Sequence, residues 1–405
     1  MKRSAIFLAV LSFVTCAHAG DFAQIERGKY LVQAGDCESC HTDKNGPRFA
    51  GARAIPTPFG TIYSRNITPD PATGIGGWSD EDFYRALHEG ISRDGSHLYP
   101  AFPYPWYTKL TRDDVNAIKA YLDTVDAVRE QTPPNKLHWP LTWRSLLSVW
   151  NSMFFKAGEW QPNPDKSADW NRGGYLVESA GHCSACHSPK NLLGSVKKGD
   201  AFEGGDGENW LAPDLTGRTL GGVSEWSIDE IAQFLRTGAN NRTRATGPMA
   251  EVVELSTSHL TDEDAKAIAT YLKDLPNGAS TAEKKTADNS RDTTRGHDLY
   301  LDNNCAACHM ENGTGEAGIF PALKGSAIVQ QPDPATAIHL VLSGSRAAAT
   351  TANPNRFAMP AFGGKLSDDD IAALLTYVRS AWGNRGGVVS ESNVYSVRKQ
   401  VATSQ

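Results

Sequence analysis

The sequence predicts an all-α chain of three tandem domains, and three observations carry that prediction. The pattern C-x-x-C-H occurs three times, as CESCH (37–41), CSACH (183–187) and CAACH (305–309). Ahead of each copy stands an Arg-Gly pair followed by apolar residues at helical spacing: RGKYLVQAGD (27–36), RGGYLVESAGH (172–182) and RGHDLYLDNN (295–304). Behind each copy comes a helix-opening signal, LTRDD (110–114), LTDED (260–264) or LSDDD (366–370), with Thr or Ser as N-cap and acidic residues in the first turn. Self-similarity of this kind is the signature of a repeated fold unit.

Taken in order, residues 2–3 are Lys-Arg, followed by the apolar run SAIFLAVLSFVTC and an A-x-A site at Ala17-His18-Ala19, so residues 1–19 read as a secretory signal peptide. The first domain spans 20–130, an aromatic-rich linker 131–168, the second domain 169–277, a flexible linker 278–290, the third domain 291–384 and a polar tail 385–405. In each domain the Arg-Gly helix should meet the capped one, ending AIKAYL (117–122), AIATYL (267–272) or LLTYV (374–378). Gly28, Gly173 and Gly296 suit close helix approach, where a Cβ would clash. Tyr121, Tyr271 and Tyr377 recur at one offset and read as packing residues. No segment after the signal region approaches the ~20 apolar residues needed to span a bilayer.

The cysteines locate the chemistry. An exported chain with an even cysteine count usually forms disulfides, but C-x-x-C-H is the c-type haem attachment pattern. Two thiols close onto the haem vinyl groups, and the next residue places His beneath the iron. A redox C-x-x-C has no need of a following His, and a zinc site would need four ligands per copy. Three covalent haems c are therefore expected, on Cys37 and Cys40, Cys183 and Cys186, and Cys305 and Cys308, with His41, His187 and His309 as proximal ligands.

A thioether on the opposite face raises a haem's potential. Met249 and Met359 each stand in a Pro-containing loop just before the capped final helix, and both are expected as distal ligands. Met310 directly follows the proximal His309 and cannot reach that face. At the matching place in the first domain, YPAFPYPW (99–106), stands Phe102, which cannot ligate iron. The first haem is then five-coordinate or uses a substitute, His97 being the nearest imidazole, with His88 and Met153 farther off. APDLTG (212–217) and FPALKG (320–325) share Pro-x-Leu-x-Gly, whereas the first domain has SRNITPD (64–70).

Helix, haem motif, irregular loop, capped helix: this order resembles the class I cytochrome c domain. The stretches FGTIYSRNITPD (59–70), GISRDGSHLYPAFPY (90–104) and GPMAEVV (247–253) narrow the likeness. Over residues 21–384 the chain resembles the tri-haem cytochrome c subunit of membrane-bound periplasmic dehydrogenases, the quinoprotein alcohol dehydrogenase and the flavin-dependent gluconate, sorbitol and fructose dehydrogenases. The resemblance implies a relay from a catalytic subunit of PQQ, FAD or molybdenum type to ubiquinone, or to a terminal oxidase or cytochrome acceptor, on the periplasmic side of the cytoplasmic membrane. It also implies that a Pro carbonyl, here Pro213 or Pro321, receives the proximal His N–H. The family's first distal ligand is the Met of YPAMPY, so Phe102 is a departure.

The formal net charge of −6 argues against nucleic acid. No Gly-rich dinucleotide fingerprint and no nucleophile constellation is present. A catalytic role of the chain alone is not expected. Two other readings are a peroxidase-like haem enzyme using an open first haem and a soluble periplasmic shuttle. The linker LHWPLTWRSLLSVWNSMFFKAGEW (137–160) reads either as a strap between domains or as a surface for peripheral membrane or subunit contact.

Overall fold

The computed structural model describes residues 17–207, 210–217, 222–276 and 290–403. The expected signal peptide lies outside these except for its last three residues, and the linker expected at 278–290 lies outside except for Ser290. In chain order the first third contains α1 (Ala17–Ala34), α2 (Cys37–His41), the hairpin β1 (Ala54–Thr57) and β2 (Gly60–Tyr63), α3 (Asp80–Glu89), α4 (Tyr104–Tyr107) and α5 (Arg112–Leu122). β3 (Lys136–Leu137) and α6 (Leu146–Phe154) follow, then α7 (Ala168–Glu178), α8 (Ser184–His187), β4 (Gly205–Gly207) and β5 (Trp210–Ala212). Next come α9 (Ile228–Thr237), α10 (Pro248–Leu255) and α11 (Asp262–Lys273). The last third holds α12 (Ser290–Asp302), α13 (Cys305–His309), α14 (Ala327–Gln330), α15 (Ala335–Ser343), β6 (Ser345–Arg346), β7 (Ala358–Met359), α16 (Asp368–Ser380) and α17 (Glu391–Thr403).

Helices dominate among the described residues, as an all-α reading requires, with the addition there of three small antiparallel sheets: β1-β2-β3, β4-β5 and β6-β7. The framework is a helix crossing repeated three times, α1 on α5, α7 on α11 and α12 on α16. Glycine makes each crossing possible. A Cβ on Gly28 would lie 1.8 Å from the Ala117 carbonyl oxygen, one on Gly173 1.9 Å from that of Ala267, and one on Gly296 2.2 Å from that of Ala373. The second helix of each pair starts where the caps indicate. The side chains of Thr111, Thr261 and Ser367 accept from the N–H groups of Asp114, Asp264 and Asp370 at 3.1–3.2 Å.

One apolar core runs through the first two units, joining Leu31, Val115 and Leu122 with Leu176, Ile268 and Leu272; the third unit has its own, around Tyr300, Ile338 and Ile371. Between the first two units the contacts are reciprocal. Asp114 accepts from Arg27 of its own unit and from Tyr175 of the next. Asp264 accepts from Arg172 of its own unit and from Tyr30 of the first.

The linker packs as a strap, and the expected tail changes. Residues 131–168 pack against the first unit: β3 pairs with β2, the Tyr99 hydroxyl donates to the Leu141 carbonyl at 2.9 Å, and Asn151 Oδ1 accepts from Tyr104. Trp160 completes a strap, donating its backbone N–H to the Lys109 carbonyl at 3.0 Å while its ring lies against Gly174. The stretch expected as a polar tail from 385 is no tail, for Val389, Val394 and Val397 are buried in the third core. Arg379, 1 % exposed, locks the return, its guanidinium donating to the carbonyls of Val329, Gln331, Gly386 and Gly387. Burial lowers that guanidinium to about 10 against the opposing charge of Asp333, while the ring of carbonyls takes up its N–H groups.

Candidate functional site

Each C-x-x-C-H motif lies on a single helical turn beside the N-terminal helix of its unit, and the bend into it is sharp. Asp36 and Asn304, just before Cys37 and Cys305, adopt the left-handed conformation at φ 52° and 59°. The turn places two thiols on one side and the His at its end. Among the described residues none of the six cysteines forms a disulfide. Burial pushes Cys37 and Cys183 up to about 12, and Cys305 upward as well. A dithiol redox pair needs a depressed thiol pKa, so these turns do not resemble one.

The histidines are the most informative groups. His187 Nδ1 lies 2.7 Å from the Pro213 carbonyl oxygen, and His309 Nδ1 lies 2.9 Å from that of Pro321. In the first unit His41 Nδ1 lies 2.6 Å from the Arg65 carbonyl oxygen. In each case Nδ1–H donates and Nε2 remains for a metal, the orienting bond usual for a ligating imidazole. Burial lowers all three pKa values and favours the neutral form that ligation requires.

Arg65 was not singled out from the sequence, and the chain contains the signal that finds it. Arg65-Asn66-Ile67-Thr68 matches Pro213-Asp214-Leu215-Thr216. In both, the Asx side chain accepts from the N–H and hydroxyl of the Thr two residues on, at 2.7–2.9 Å. That local turn aims the preceding carbonyl at the histidine. Asn66 Nδ2 further donates to the Val128 carbonyl at 2.7 Å.

On the distal side, Met249 sits at the second position of α10, after Pro248, and packs partly buried against the core. Met359 lies on β7 opposite Ser345, half-buried against the third core. Phe102 occupies the corresponding loop of the first unit, its ring edge-on to Tyr107 at 5.5 Å between centroids. His97 bridges to Ile91 through the backbone, and its Nδ1 lies 3.5 Å from Nδ2 of Asn151 in α6. His88 stacks on Tyr84 and faces the Thr108 hydroxyl, and Met153 is exposed on α6.

The distal loop of each of the first two units touches the attachment turn of the other. Trp106 Nε1 donates to Ser184 Oγ, inside CSACH, at 2.6 Å. Arg53 bridges Glu251 of α10 to the Ser39 carbonyl inside CESCH. Paired thiols, a carbonyl-oriented imidazole and an apolar distal wall fit a covalently held haem c, which supplies a one-electron iron couple when bound.

Such turns within such helix pairs define a cytochrome c, and a family model for cytochrome c matches residues 25–126 and 293–382. The chain is 38% identical to the gluconate 2-dehydrogenase cytochrome c subunit of Pantoea cypripedii, over 98% of this chain and 94% of the relative. It is 39% identical to the cytochrome c subunit of the quinone alcohol dehydrogenase of Gluconobacter oxydans, over 98% and 86%. The fructose dehydrogenase cytochrome subunit of Gluconobacter japonicus is 37% identical, over 92% and 82%. The chain belongs to the family of cytochrome c subunits of dehydrogenases, and its role is electron transfer. A peroxidase-like enzyme and a free shuttle are not the readings these relatives favour. No helix among the described residues is long and apolar enough to cross a membrane.

Proposed function

We propose that this chain is the tri-haem c subunit of a dehydrogenase complex, built of three class I cytochrome c-like domains. It would take electrons from a catalytic partner carrying PQQ, FAD or molybdenum, and pass them to ubiquinone or another respiratory acceptor. The partner would oxidise an alcohol, sugar, sugar acid or aldehyde, as the relatives' names indicate. The observation that carries the proposal is the threefold recurrence of one arrangement: a C-x-x-C-H turn whose His Nδ1 is held by a backbone carbonyl, at Arg65, Pro213 and Pro321.

In this reading Cys37, Cys40, Cys183, Cys186, Cys305 and Cys308 hold the haems. His41, His187 and His309 are the proximal ligands, Met249 and Met359 the distal ligands of the second and third. For the first, His97 is the proposed sixth ligand. It is the imidazole nearest the place of Phe102 in the sequence. The reciprocal contacts of Trp106 and Arg53 hold the first two haem units against each other, as direct electron exchange requires. The relatives and the sequence at 1–19 together support export to the periplasmic side of the membrane.

Intact-mass measurement of protein matured with haem attachment tests the cofactor count. Three haem increments are expected, and two or fewer would refute it. Purification from solubilised membranes, with cofactor analysis of the co-purifying large subunit, identifies the partner.

A further inference from the structure

The strap that follows the first unit has an outer face that no described residue covers. No residue of α6 is buried. Its inner side rests Leu147, Asn151 and Phe154 on the protein, while Leu146, Val149 and Met153 point outward at helical spacing. Immediately before α6, Trp139 is 77 % exposed and Trp143 stands edge-on to it. A loop of the second unit extends the surface. Trp150 Nε1 donates to the Leu193 carbonyl at 2.9 Å, and Leu192 beside it is 97 % exposed. Two segments far apart in sequence thus present exposed large apolar side chains side by side. Continuous exposed apolar surface of this kind marks an interaction site.

Charge selects the occupant. The whole chain is acidic, at −6. Yet no Asp or Glu occurs between Glu130 and Glu159, nor between Glu178 and Asp200. The first interval carries Lys136, Arg144 and Lys156, and the second Lys190, Lys197 and Lys198. Five of these six are exposed, Arg144 being half-buried. Paired tryptophans, an outward aliphatic helix face and a basic rim are the makeup of an element lying in the headgroup layer of an anionic bilayer. An acidic protein surface would answer the lysines but would leave no reason for Leu192 and Trp139 to stand so far out.

We propose that this face, formed by residues 136–156 and the loop 190–198, seats the chain on an anionic phospholipid surface. The apolar side chains enter the acyl boundary and the lysines contact the phosphates. The proposal rests on the electron-transfer reading only in giving the chain a membrane to work on. Its test reads lipid binding alone, so failure here leaves the haem count and electron transfer untouched.

The test is flotation of the mature haem-loaded protein with vesicles, followed by the Soret absorbance. One vesicle set is phosphatidylglycerol with phosphatidylcholine, the other phosphatidylcholine alone. Binding to the anionic vesicles is expected, weakened at least tenfold by Trp143→Ser with Leu146→Ser. Lys197→Glu with Lys198→Glu, which leaves the apolar face intact, should weaken it several-fold and reduce its salt dependence. An unchanged haem spectrum and circular dichroism confirm that each variant is folded. No binding by the native protein, or equal binding by both variants, overturns the proposal. Loss of co-purification with the dehydrogenase in the Trp143 and Leu146 variant, with no vesicle binding by the native protein, would give the face to the catalytic subunit instead and equally overturn it.

Discussion

Replacing Gly173 by Ala sets two effects of opposite sign against each other, and their magnitudes decide the outcome. Gly173 lies inside α7, where Ala is the better helix former by about 1 kcal/mol. Against this, the new Cβ would fall 1.9 Å from the Ala267 carbonyl oxygen and 2.4 Å from its carbon. Non-bonded heavy atoms rest at about 3.5 Å or more, so the helices must separate by roughly 1.5 Å. The obstacle is backbone inside α11 and has no rotamer to move, which places the cost at the upper end of the 1–3 kcal/mol typical of overpacking. The net loss is about 2 kcal/mol, or about 4–8 °C in Tm for a folding block of this size. The assay is thermal unfolding of the haem-loaded protein by circular dichroism. Gly199→Ala, whose Cβ meets nothing within 4 Å, is the control and should be neutral or slightly stabilising. A Gly173→Ala protein as stable as the native one would refute the argument that glycine is there for the crossing.

The remaining expectations concern the haems and the junction of the first two units. Met249→Ala and Met359→Ala should each remove part of the sulfur-to-iron charge-transfer absorbance and lower one potential, on the order of 0.1 V; unaltered spectra and potentials in both would exclude them as ligands. Electron paramagnetic resonance of the oxidised protein should give one signal unlike the other two, low-spin if His97 ligates and high-spin if nothing does, with His97→Ala separating the cases; three matching His/Met signals would refute the account of Phe102. The junction should depend on pH at both ends. Burial by itself raises Asp264, but hydrogen bonds from Arg172 and Tyr30 outweigh it and hold the carboxyl below its usual range. Its contribution is therefore complete above about pH 4 and lost as pH falls through the lowered value. Tyr30 is pushed up to about 12, by burial and then by its bond to Asp264, so its contribution is complete below about pH 10 and lost as pH rises toward 12. Tyr30→Phe should cost about 1.5–3 kcal/mol at pH 7 and flatten the alkaline limb in denaturant unfolding; a variant with the native pH profile would show that the bond contributes nothing.

What the sequence disclosed was local. C-x-x-C-H, the caps at Thr111, Thr261 and Ser367, and the crossing glycines each announce their role within a few residues, because attachment, capping and close approach demand particular side chains. The carbonyl that orients His41 belongs to Arg65 and leaves no side-chain mark; only the neighbouring Asn66-x-Thr68 turn reveals it. The strand pairs escaped notice because each runs two to four residues and is held by loops rather than by alternation. The C-terminal helix reads as polar because Val394 and Val397 are isolated among Ser, Asn, Arg and Lys, and only their burial against α15 and α16 shows that they are core. The bonds of Tyr30 to Asp264 and Tyr175 to Asp114 join residues far apart in the chain, and no local pattern names such partners. Equally hidden was the convergence of α6 with the loop at Leu192.

The exchange of tyrosines between the first two units also governs how a chain of three look-alike modules avoids assembling in the wrong order. Arg27 and Tyr30 correspond to Arg172 and Tyr175, and in the third copy to Arg295 and Asp298. A third module brought into the place of either of the others would set the Asp298 carboxylate against Asp114 or Asp264, with no hydroxyl to donate. In the native arrangement Asp298 stays exposed, and Arg295 turns instead to Asp369 and Asp370 of its own module. One changed residue thus acts as a key that fits only one lock, letting the first two modules recognise each other while the third, nearly the same shape, is turned away.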